Sequence, residues 1–195
     1  MKKRTFYFIR HGETTWNRLN RFQGHTDVPL SDNGRAQAHQ RGKELLDFGI
    51  EAIFCSPLSR AKETAQALNK DLKVRLFVDY ELKECGCPQT ASEIYCDLGL
   101  GLPDFSHASV VISESREEFI SRTVRAAERA LRATIKPPLL VAHGGTYWAL
   151  CNHLGQTPQR IPNCTLVRFE PLDEGWSVTL AESPPEHHDL VCETC

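Results

Sequence analysis

Residues 5–13 read TFYFIRHGE, an apolar run that ends abruptly on Arg10, His11, Gly12 and Glu13. The run predicts a strand, and a cation, an imidazole and a glycine directly after a strand suit an anion site at the carboxyl end of a sheet. Backbone N–H groups converge there as well, so a bound phosphate would meet both hydrogen-bond donors and positive charge. The stretch therefore indicates phosphate chemistry.

An isolated Arg-His-Gly triplet is weak evidence, but the pattern continues along most of the chain. Its residues are, in chain order, residues 10–14 (RHGET), Trp16, Asn17, Gln23, Gly24, Asp27, residues 29–31 (PLS), Gly34, residues 55–65 (CSPLSRAKETA) and residues 141–145 (VAHGG). In this order the motifs resemble the histidine phosphatase superfamily, which includes the phosphoglycerate mutases. The resemblance implies a phosphoglycerate mutase-like fold and catalysis on phosphate esters.

The overall composition favours one ordinary globular domain. The chain has 195 residues, 41% of them hydrophobic, which is enough for a single core. We predict a domain over residues 1–182 with a lid-like insertion at 85–112, followed by a tail over 183–195. The net charge of -2 gives no reason to expect nucleic acid or an anionic membrane as a partner.

The compartment is predicted from what the sequence lacks. The start of the chain does not resemble a signal peptide, and no stretch approaches the length of a membrane span. Eight cysteines without a secretory signal are typical of reduced thiols, so we expect a cytoplasmic protein. His187, His188, Cys192 and Cys195 in the tail match no closed zinc module, and no metal site is predicted there.

Periodicity predicts strands that alternate with helices. Residues 50–55, 74–78 and 139–142 are short apolar runs typical of buried strands, and 165–170 with 176–181 indicate a hairpin. The signals for helix starts are Ser31 as a cap, Ser56 with Pro57 at the first helical position, Ser115 with Glu118 as a capping box, and Tyr147 after a strand. We therefore expect an α/β fold, a three-layer α/β/α sandwich whose mostly parallel sheet has an antiparallel edge strand.

Three strand ends carry the candidate catalytic residues. Arg10 and His11 follow the first strand, Arg60 lies just beyond the second, and His143 follows the strand at 139–142. The carboxyl ends of neighbouring parallel strands form one crevice, so these side chains should meet. Two planar guanidinium groups are a fitting clamp for a phosphoryl group, and an imidazole nitrogen is a good phosphoryl acceptor.

The resemblance assigns the individual roles. It implies that His11 becomes phosphorylated and that His143 lies close to it as a donor to the phosphoryl oxygens. The other ring nitrogen of His11 should donate to a fixed acceptor, such as a backbone carbonyl. The resemblance also places a general acid in a Leu-x-Glu pattern, which here is Glu84, with Glu81 as the alternative.

Some of the remaining polar residues are predicted to contact the substrate, and others are predicted to have no role in the site. By the same resemblance, Asn17, Gln23, Gly24 and Gly144 bind the phosphoryl group or the substrate. His25 is interpreted as an ordinary loop histidine. The resemblance implies neither a metal nor a cofactor, since arginine and histidine neutralise the anion.

The expected reaction is hydrolysis of a phosphorylated small-molecule metabolite. Mutases of the family bind a second acidic group with a basic cluster after the acid, whereas residues 85–115 contain no Lys or Arg. Water is therefore the expected acceptor. The alternatives are a phosphoglycerate mutase-type phosphotransferase, a phosphohistidine protein phosphatase and a non-catalytic module that binds a phosphorylated ligand. The oligomeric state is not predicted.

Overall fold

A six-stranded sheet organises the chain in its computed structural model, which describes residues 1–108 and 112–182. The strands are β1 (Phe6–Arg10), β2 (Ala52–Cys55), β3 (Arg75–Val78), β4 (Pro138–Ala142), β5 (Leu166–Pro171) and β6 (Trp176–Leu180). The helices are α1 (Thr15–Arg18), α2 (Asp32–Glu44), α3 (Ser59–Leu72), α4 (Pro88–Asp97), α5 (Arg116–Ala133) and α6 (Gly144–His153). Short 3-10 helices span Leu46–Phe48 and Tyr80–Leu82.

The register of the strands brings the three segments with the candidate catalytic residues to one edge of the sheet. The strand order is β3-β2-β4-β1-β5-β6, and β3, β2, β4 and β1 are parallel to one another. Arg10 lies opposite Ala142, and Cys55 lies opposite Val141. The residues that follow these three strands therefore leave the sheet side by side, as expected for a parallel sheet.

The predicted three-layer α/β/α architecture is confirmed. Phe6 and Phe8 of β1 pack into a cluster with residues of α5 and α6, whereas Tyr7 and Ile9 pack on the opposite face with residues of α3. This alternation follows from the two-residue period of a strand whose two faces are both covered. The antiparallel edge consists of two strands, because β5 is antiparallel to β1 and β6 is antiparallel to β5.

Two of the predicted helix starts are confirmed, and two are wrong. Ser31 accepts a hydrogen bond from Gly34 N, and Ser115 forms the predicted capping box with Glu118. The predicted start of α3 at Ser56 and Pro57 is wrong, because the cap is Leu58 and the helix begins at Ser59. Helix α6 begins at Gly144, three residues before the predicted Tyr147, since the Thr146 hydroxyl accepts from His143 N and starts the turn early.

The tail, including His187, His188, Cys192 and Cys195, lies outside the described residues. The domain boundary at residue 182 therefore stays a prediction. Among the helices of residues 1–108 and 112–182, none combines the length and the apolar character that crossing a bilayer requires.

Candidate active site

His11 leaves the end of β1 with a fixed tautomer. Its backbone N–H donates to Ala142 O at 2.9 Å, which continues the β1–β4 pairing. Its Nδ1 lies 2.7 Å from Gly12 O, and a carbonyl can only accept, so Nδ1 carries the hydrogen. Burial lowers the pKa of His11 well below 6.5, and the charges of Arg60 and Arg10 lower it further. The ring is therefore neutral at neutral pH, with an unprotonated Nε2.

His143 is the second imidazole at this edge of the sheet. It is fully buried, and its ring centroid lies 5.2 Å from that of His11, with 59° between the ring planes. Its Nε2 lies 2.8 Å from Ser56 Oγ, while its Nδ1 is buried without a hydrogen-bond partner among the described residues. Burial lowers the pKa of His143 well below 6.5, with a further contribution from Arg60. It too is neutral at neutral pH.

Two guanidinium groups flank the histidines, and both are held by backbone carbonyls. Arg10 Nη1 donates to Ile161 O at 2.8 Å. Arg60 donates from Nη1 to Thr26 O at 3.0 Å and from Nη2 to Gly24 O at 2.9 Å. Within the described ranges neither forms an ion pair with a carboxylate, and the Nε atom of each is buried without a partner. Their charge is therefore not neutralised by a direct partner in that part of the protein.

The Arg60 side chain is completely buried, and this burial changes the pKa of its guanidinium group. Desolvation lowers its pKa to about 10, against the opposing influence of Glu84 and Asp27. The group is still cationic at neutral pH. A buried cation without a paired carboxylate is costly, so its environment strongly favours a bound anion.

Glu84 and Glu81 lie in different environments. The Glu84 carboxyl accepts from Cys85 N at 2.9 Å and from Gly145 N at 3.1 Å, and it lines the same cavity as His11. Glu81 points to the surface, where its carboxylate pairs with Arg125 and Arg129 of α5. Of the two candidates for the general acid, only Glu84 therefore lies at the cavity.

Arg122 of α5 holds the backbone of this acidic loop. Its Nη1 donates to Glu81 O at 2.8 Å and to Lys83 O at 2.6 Å, and its Nη2 donates to Glu84 O at 3.0 Å. The same guanidinium group forms a bidentate ion pair with Glu114, which is 9% exposed. One side chain thus satisfies three carbonyls of the loop and a carboxylate.

The cavity has a volume of about 730 Å³ and lies over the edge of the sheet where the candidate catalytic residues meet. Asn17, Gln23, Gly24 and Gly144 line it together with Arg10, His11, Arg60 and Glu84. His143 does not line the cavity, and its ring lies next to the ring of His11. Asn17 Oδ1 is occupied by Thr14 N at 3.0 Å, so the amide NH₂ is the part left for a ligand, whereas Gln23 Oε1 is buried without a partner in the described ranges.

Several cavity residues were not predicted from the sequence. Residues 159–163 (QRIPN) line it and belong to no motif, although a polar run between α6 and β5 was an available signal. Tyr95 of α4 also lines it. His25 lies in a loop, as predicted, and its Nε2 contacts Glu84 O at 2.8 Å, while burial lowers its pKa.

Side chains that bind metals are not clustered in the described part of the chain. In residues 1–108 and 112–182 no group of three or more His, Cys, Asp or Glu side chains is arranged to hold a metal ion. Cys85 and Cys87, which are close in sequence, are both free thiols. The expectation of metal-independent catalysis stays a prediction.

Two arginines, two histidines and a glutamate are thus brought together at the carboxyl edge of the parallel strands. A family model for the histidine phosphatase superfamily (branch 1) matches residues 6–183, and the chain belongs to this superfamily. The family resemblance of the sequence motifs is thereby confirmed, as is the prediction of an enzyme of the phosphatase kind.

The curated relatives include proteins named as phosphatases and proteins named as probable mutases. The chain is 31% identical over 176 residues to the uncharacterized phosphatase PhoE of Bacillus subtilis (strain 168), with 87% of this chain and 90% of the relative covered. It is 27% identical over 185 residues to the probable phosphoglycerate mutase GpmB of Erwinia tasmaniensis, covering 87% of this chain and 86% of the relative.

Solved structures show the same fold. A mycobacterial glucosyl-3-phosphoglycerate phosphatase in complex with VO3 has a TM-score of 0.72 at 20% identity, covering 92% of this chain and 99% of that one. A second structure, TTHB049 from Thermus thermophilus, has a TM-score of 0.66 at 27% identity, covering 91% and 99% of the two chains.

Proposed function

We propose that the protein hydrolyses the phosphomonoester bond of a small phosphorylated metabolite through a phosphohistidine on His11. The observation that carries this proposal is the hydrogen bond from His11 Nδ1 to Gly12 O, which leaves Nε2 unprotonated beside two arginines without carboxylate partners in the described ranges. A neutral imidazole with one occupied nitrogen is an activated nucleophile. The buried guanidinium groups supply the charge that the phosphoryl oxygens require.

The first step forms the covalent adduct. The lone pair of His11 Nε2 attacks phosphorus, and the bond between phosphorus and the ester oxygen breaks. Arg10 and Arg60 bind the non-bridging oxygens. The Ser56 hydroxyl accepts from Leu58 N at 3.3 Å and lies 2.8 Å from His143 Nε2, to which it donates in this proposal. His143 Nδ1 then carries a hydrogen, but His143 does not line the cavity, and its role as a donor to the phosphoryl oxygens stays a prediction.

Glu84 acts first as the general acid and then as the general base. In its protonated form it donates to the departing alkoxide, and as a carboxylate it then takes a proton from the water that attacks the phosphohistidine. Inorganic phosphate leaves and neutral His11 is restored. Glu81 is not a competing acid in this proposal, because its carboxylate is paired with Arg125 and Arg129 at the surface.

The test is direct detection of the adduct. Enzyme quenched with alkali during turnover should carry a phosphoryl group that is stable to base and lost in acid, and His11→Ala should carry none. Wild-type turnover without such an adduct would defeat the assignment. Vanadate should inhibit by occupying the phosphoryl site, and EDTA should leave the rate unchanged, because no step of the proposed reaction uses a metal.

A mutase reaction is the second candidate, and one observation favours it. Residues 85–115 contain no Lys or Arg, but the cavity receives Arg18, Arg21 and Arg160 from other segments. The absence of a basic cluster in that one segment is therefore weaker evidence against a mutase than the sequence suggested. Phosphate release from 3-phosphoglycerate should exceed its conversion to 2-phosphoglycerate in the presence of 2,3-bisphosphoglycerate, and the reverse ratio would favour the mutase.

The remaining alternatives make different demands on the site. A protein phosphatase for phosphohistidine would need an open groove, whereas the wall formed by α4 favours a small-molecule substrate. A binding module without catalysis would need no free Nε2 on His11. The cytoplasmic location also stays a proposal, supported by the six free cysteines of the described residues.

A further inference from the structure

His25 does not line the cavity, but its ring contacts the backbone of Glu84. Its Nε2 lies 2.8 Å from Glu84 O, and a carbonyl oxygen can only accept, so Nε2 carries the hydrogen and donates it. Burial lowers the pKa of His25, the hydrogen bond to Glu84 opposes this, and the charges of Lys83 and Arg122 lower the pKa further. The ring is therefore a neutral donor at neutral pH.

The backbone on both sides of His25 is fixed by one of the arginines proposed to bind the phosphate. Arg60 donates to Gly24 O at 2.9 Å and to Thr26 O at 3.0 Å, and its side chain is completely buried. Thr26 N also donates to Gln23 O at 2.8 Å, which closes the turn around His25. The guanidinium group of Arg60 therefore sets the position of the His25 Cα as well as that of the phosphoryl group.

The peptide group between residues 84 and 85 transmits the contact with His25 to the carboxyl group of Glu84. The oxygen of this peptide accepts from His25, and its N–H, which is that of Cys85, donates to Glu84 Oε1 at 2.9 Å. A peptide group is planar, so its C=O and its N–H cannot turn separately. Any rotation that follows the loss of the His25 bond would therefore move a backbone donor that holds the carboxyl group at the cavity.

The two loops that the His25–Glu84 bond connects are in close contact. A Cβ added to Gly86 would lie 3.0 Å from His25 Cδ2. A Cβ added to Gly24, whose φ is +47°, would lie 3.3 Å from Cys85 O. Both distances are shorter than ordinary van der Waals contact, so the His25 ring has little freedom to leave the carbonyl that it contacts.

Arg122 contacts the same carbonyl but provides a different constraint. Its Nη2 donates to Glu84 O at 3.0 Å and connects it to α5, a helix that lies outside the lining of the cavity. Among the described contacts of this carbonyl, only that of His25 comes from the segment that Arg60 holds. His25 therefore forms the direct connection between the phosphate clamp and the loop of the acid.

We propose that His25 is a positioning residue, which sets the distance between the bound phosphoryl group and the Glu84 carboxyl group through its hydrogen bond to Glu84 O. The ring acts through Glu84, because it does not line the cavity. A displacement of about 1 Å can reduce catalysis by about 10²-fold, so a modest shift of the acid should slow proton transfer measurably. The inference rests on the proposed function in treating Glu84 as the general acid.

Two aryl phosphates test this inference, because phenolate needs a proton on departure far more than p-nitrophenolate does. His25→Phe keeps an aromatic ring and removes the donor. We expect it to lose about tenfold in kcat on phenyl phosphate and less than about threefold on p-nitrophenyl phosphate. His39→Phe, the same change at an exposed histidine of α2, should leave both rates near those of the wild type.

Two amide variants test the hydrogen bond itself. His25→Gln places an N–H about as far from the backbone as Nε2 and should restore most of the rate on phenyl phosphate. His25→Asn has the same amide on a shorter side chain, so it should lose the bond and behave like His25→Phe. This pair also tests the contact if the phenylalanine variant does not fold. Equal rates in the two amide variants would contradict the role of the bond.

Glu84→Gln, measured on the same two compounds, separates this inference from the proposed function. No turnover of either compound by the wild type, or equal losses on both in Glu84→Gln, would defeat the proposed acid and this inference with it. A loss in Glu84→Gln that depends on the leaving group, together with equal losses or none in His25→Phe, would overturn the role of His25 alone. In the Glu84→Gln background, His25→Phe should lose less than about twofold further on phenyl phosphate, and multiplicative losses would also overturn it.

Discussion

The backbone N–H of Gly145, in the first turn of α6, donates a hydrogen bond of 3.1 Å to Oε2 of Glu84. Cys85 N donates to the other carboxyl oxygen at 2.9 Å. The carboxyl group is therefore held at the cavity by two backbone donors, one from its own loop and one from the segment that follows His143. The predictions on catalysis depend on this position.

Glu84→Gln should discriminate between leaving groups. An alkoxide needs a proton as it departs, whereas p-nitrophenolate does not, so the variant should lose about 10²-fold to 10⁴-fold in kcat on 3-phosphoglycerate and less than about tenfold on p-nitrophenyl phosphate. Steady-state kinetics on both compounds measure the difference. Glu81→Gln is the matched control and should leave both rates near those of the wild type. Equal losses on the two compounds in Glu84→Gln would contradict the assignment.

Gly145→Ala should displace the acid without changing its chemistry. A Cβ at this position would collide with Glu84 Oε1 and lie 3.2 Å from Phe119 Cζ. The carboxyl must move, so we expect a loss of at least about tenfold in kcat on alkyl phosphates. Gly144→Ala is the neighbouring control, since its Cβ would meet Arg10 Nε at an ordinary 3.8 Å and should cost less. A larger loss in Gly144→Ala would argue against the geometry.

Arg122→Lys should act on catalysis through Glu84. A lysine ammonium cannot span three loop carbonyls and the Glu114 carboxylate, because it lacks the planar fork of arginine. We expect a loss of about tenfold to 10²-fold in kcat on 3-phosphoglycerate in the wild-type background and little further loss in Glu84→Gln. A double-mutant cycle measures this coupling. Arg125→Lys, on the same helix, should show none, and additive losses for Arg122 and Glu84 would refute the link.

Acid should destabilise the fold through the two buried histidines. Burial lowers the pKa values of His11 and His143 well below 6.5, so below about pH 6.5 the unfolded chain binds more protons than the native one. The free energy of unfolding should therefore decrease as the pH falls below 6.5 towards the native pKa values, by at most about 1.4 kcal/mol per pH unit for each histidine.

Urea unfolding at a series of pH values measures this slope. His11→Gln should reduce the slope by up to the contribution of one histidine, and His39→Gln, which changes an exposed side chain of α2, should leave it as in the wild type. An unchanged slope in His11→Gln would mean that His11 is not buried in its neutral form.

Local patterns in the sequence were sufficient for most of the fold. The apolar runs of β1, β2 and β4 and the capping box of α5 are local signals, and each lies where it was predicted. The cap of α3 was misplaced because Ser56 has another partner: its hydroxyl contacts His143 Nε2 at 2.8 Å, a residue 87 positions away. A local cap signal does not reveal a competing bond of that kind.

The sequence by itself determined that Arg10, His11, Arg60 and His143 meet, because parallel strands end at one edge and the residues after them share one crevice. Only the tertiary structure distinguished Glu84 from Glu81, since their motif spacing is similar but one faces the cavity and the other faces the arginines of α5. The same holds for Arg122, because its partners Glu81, Lys83 and Glu84 lie about 40 positions away in the chain and no local pattern encodes these contacts.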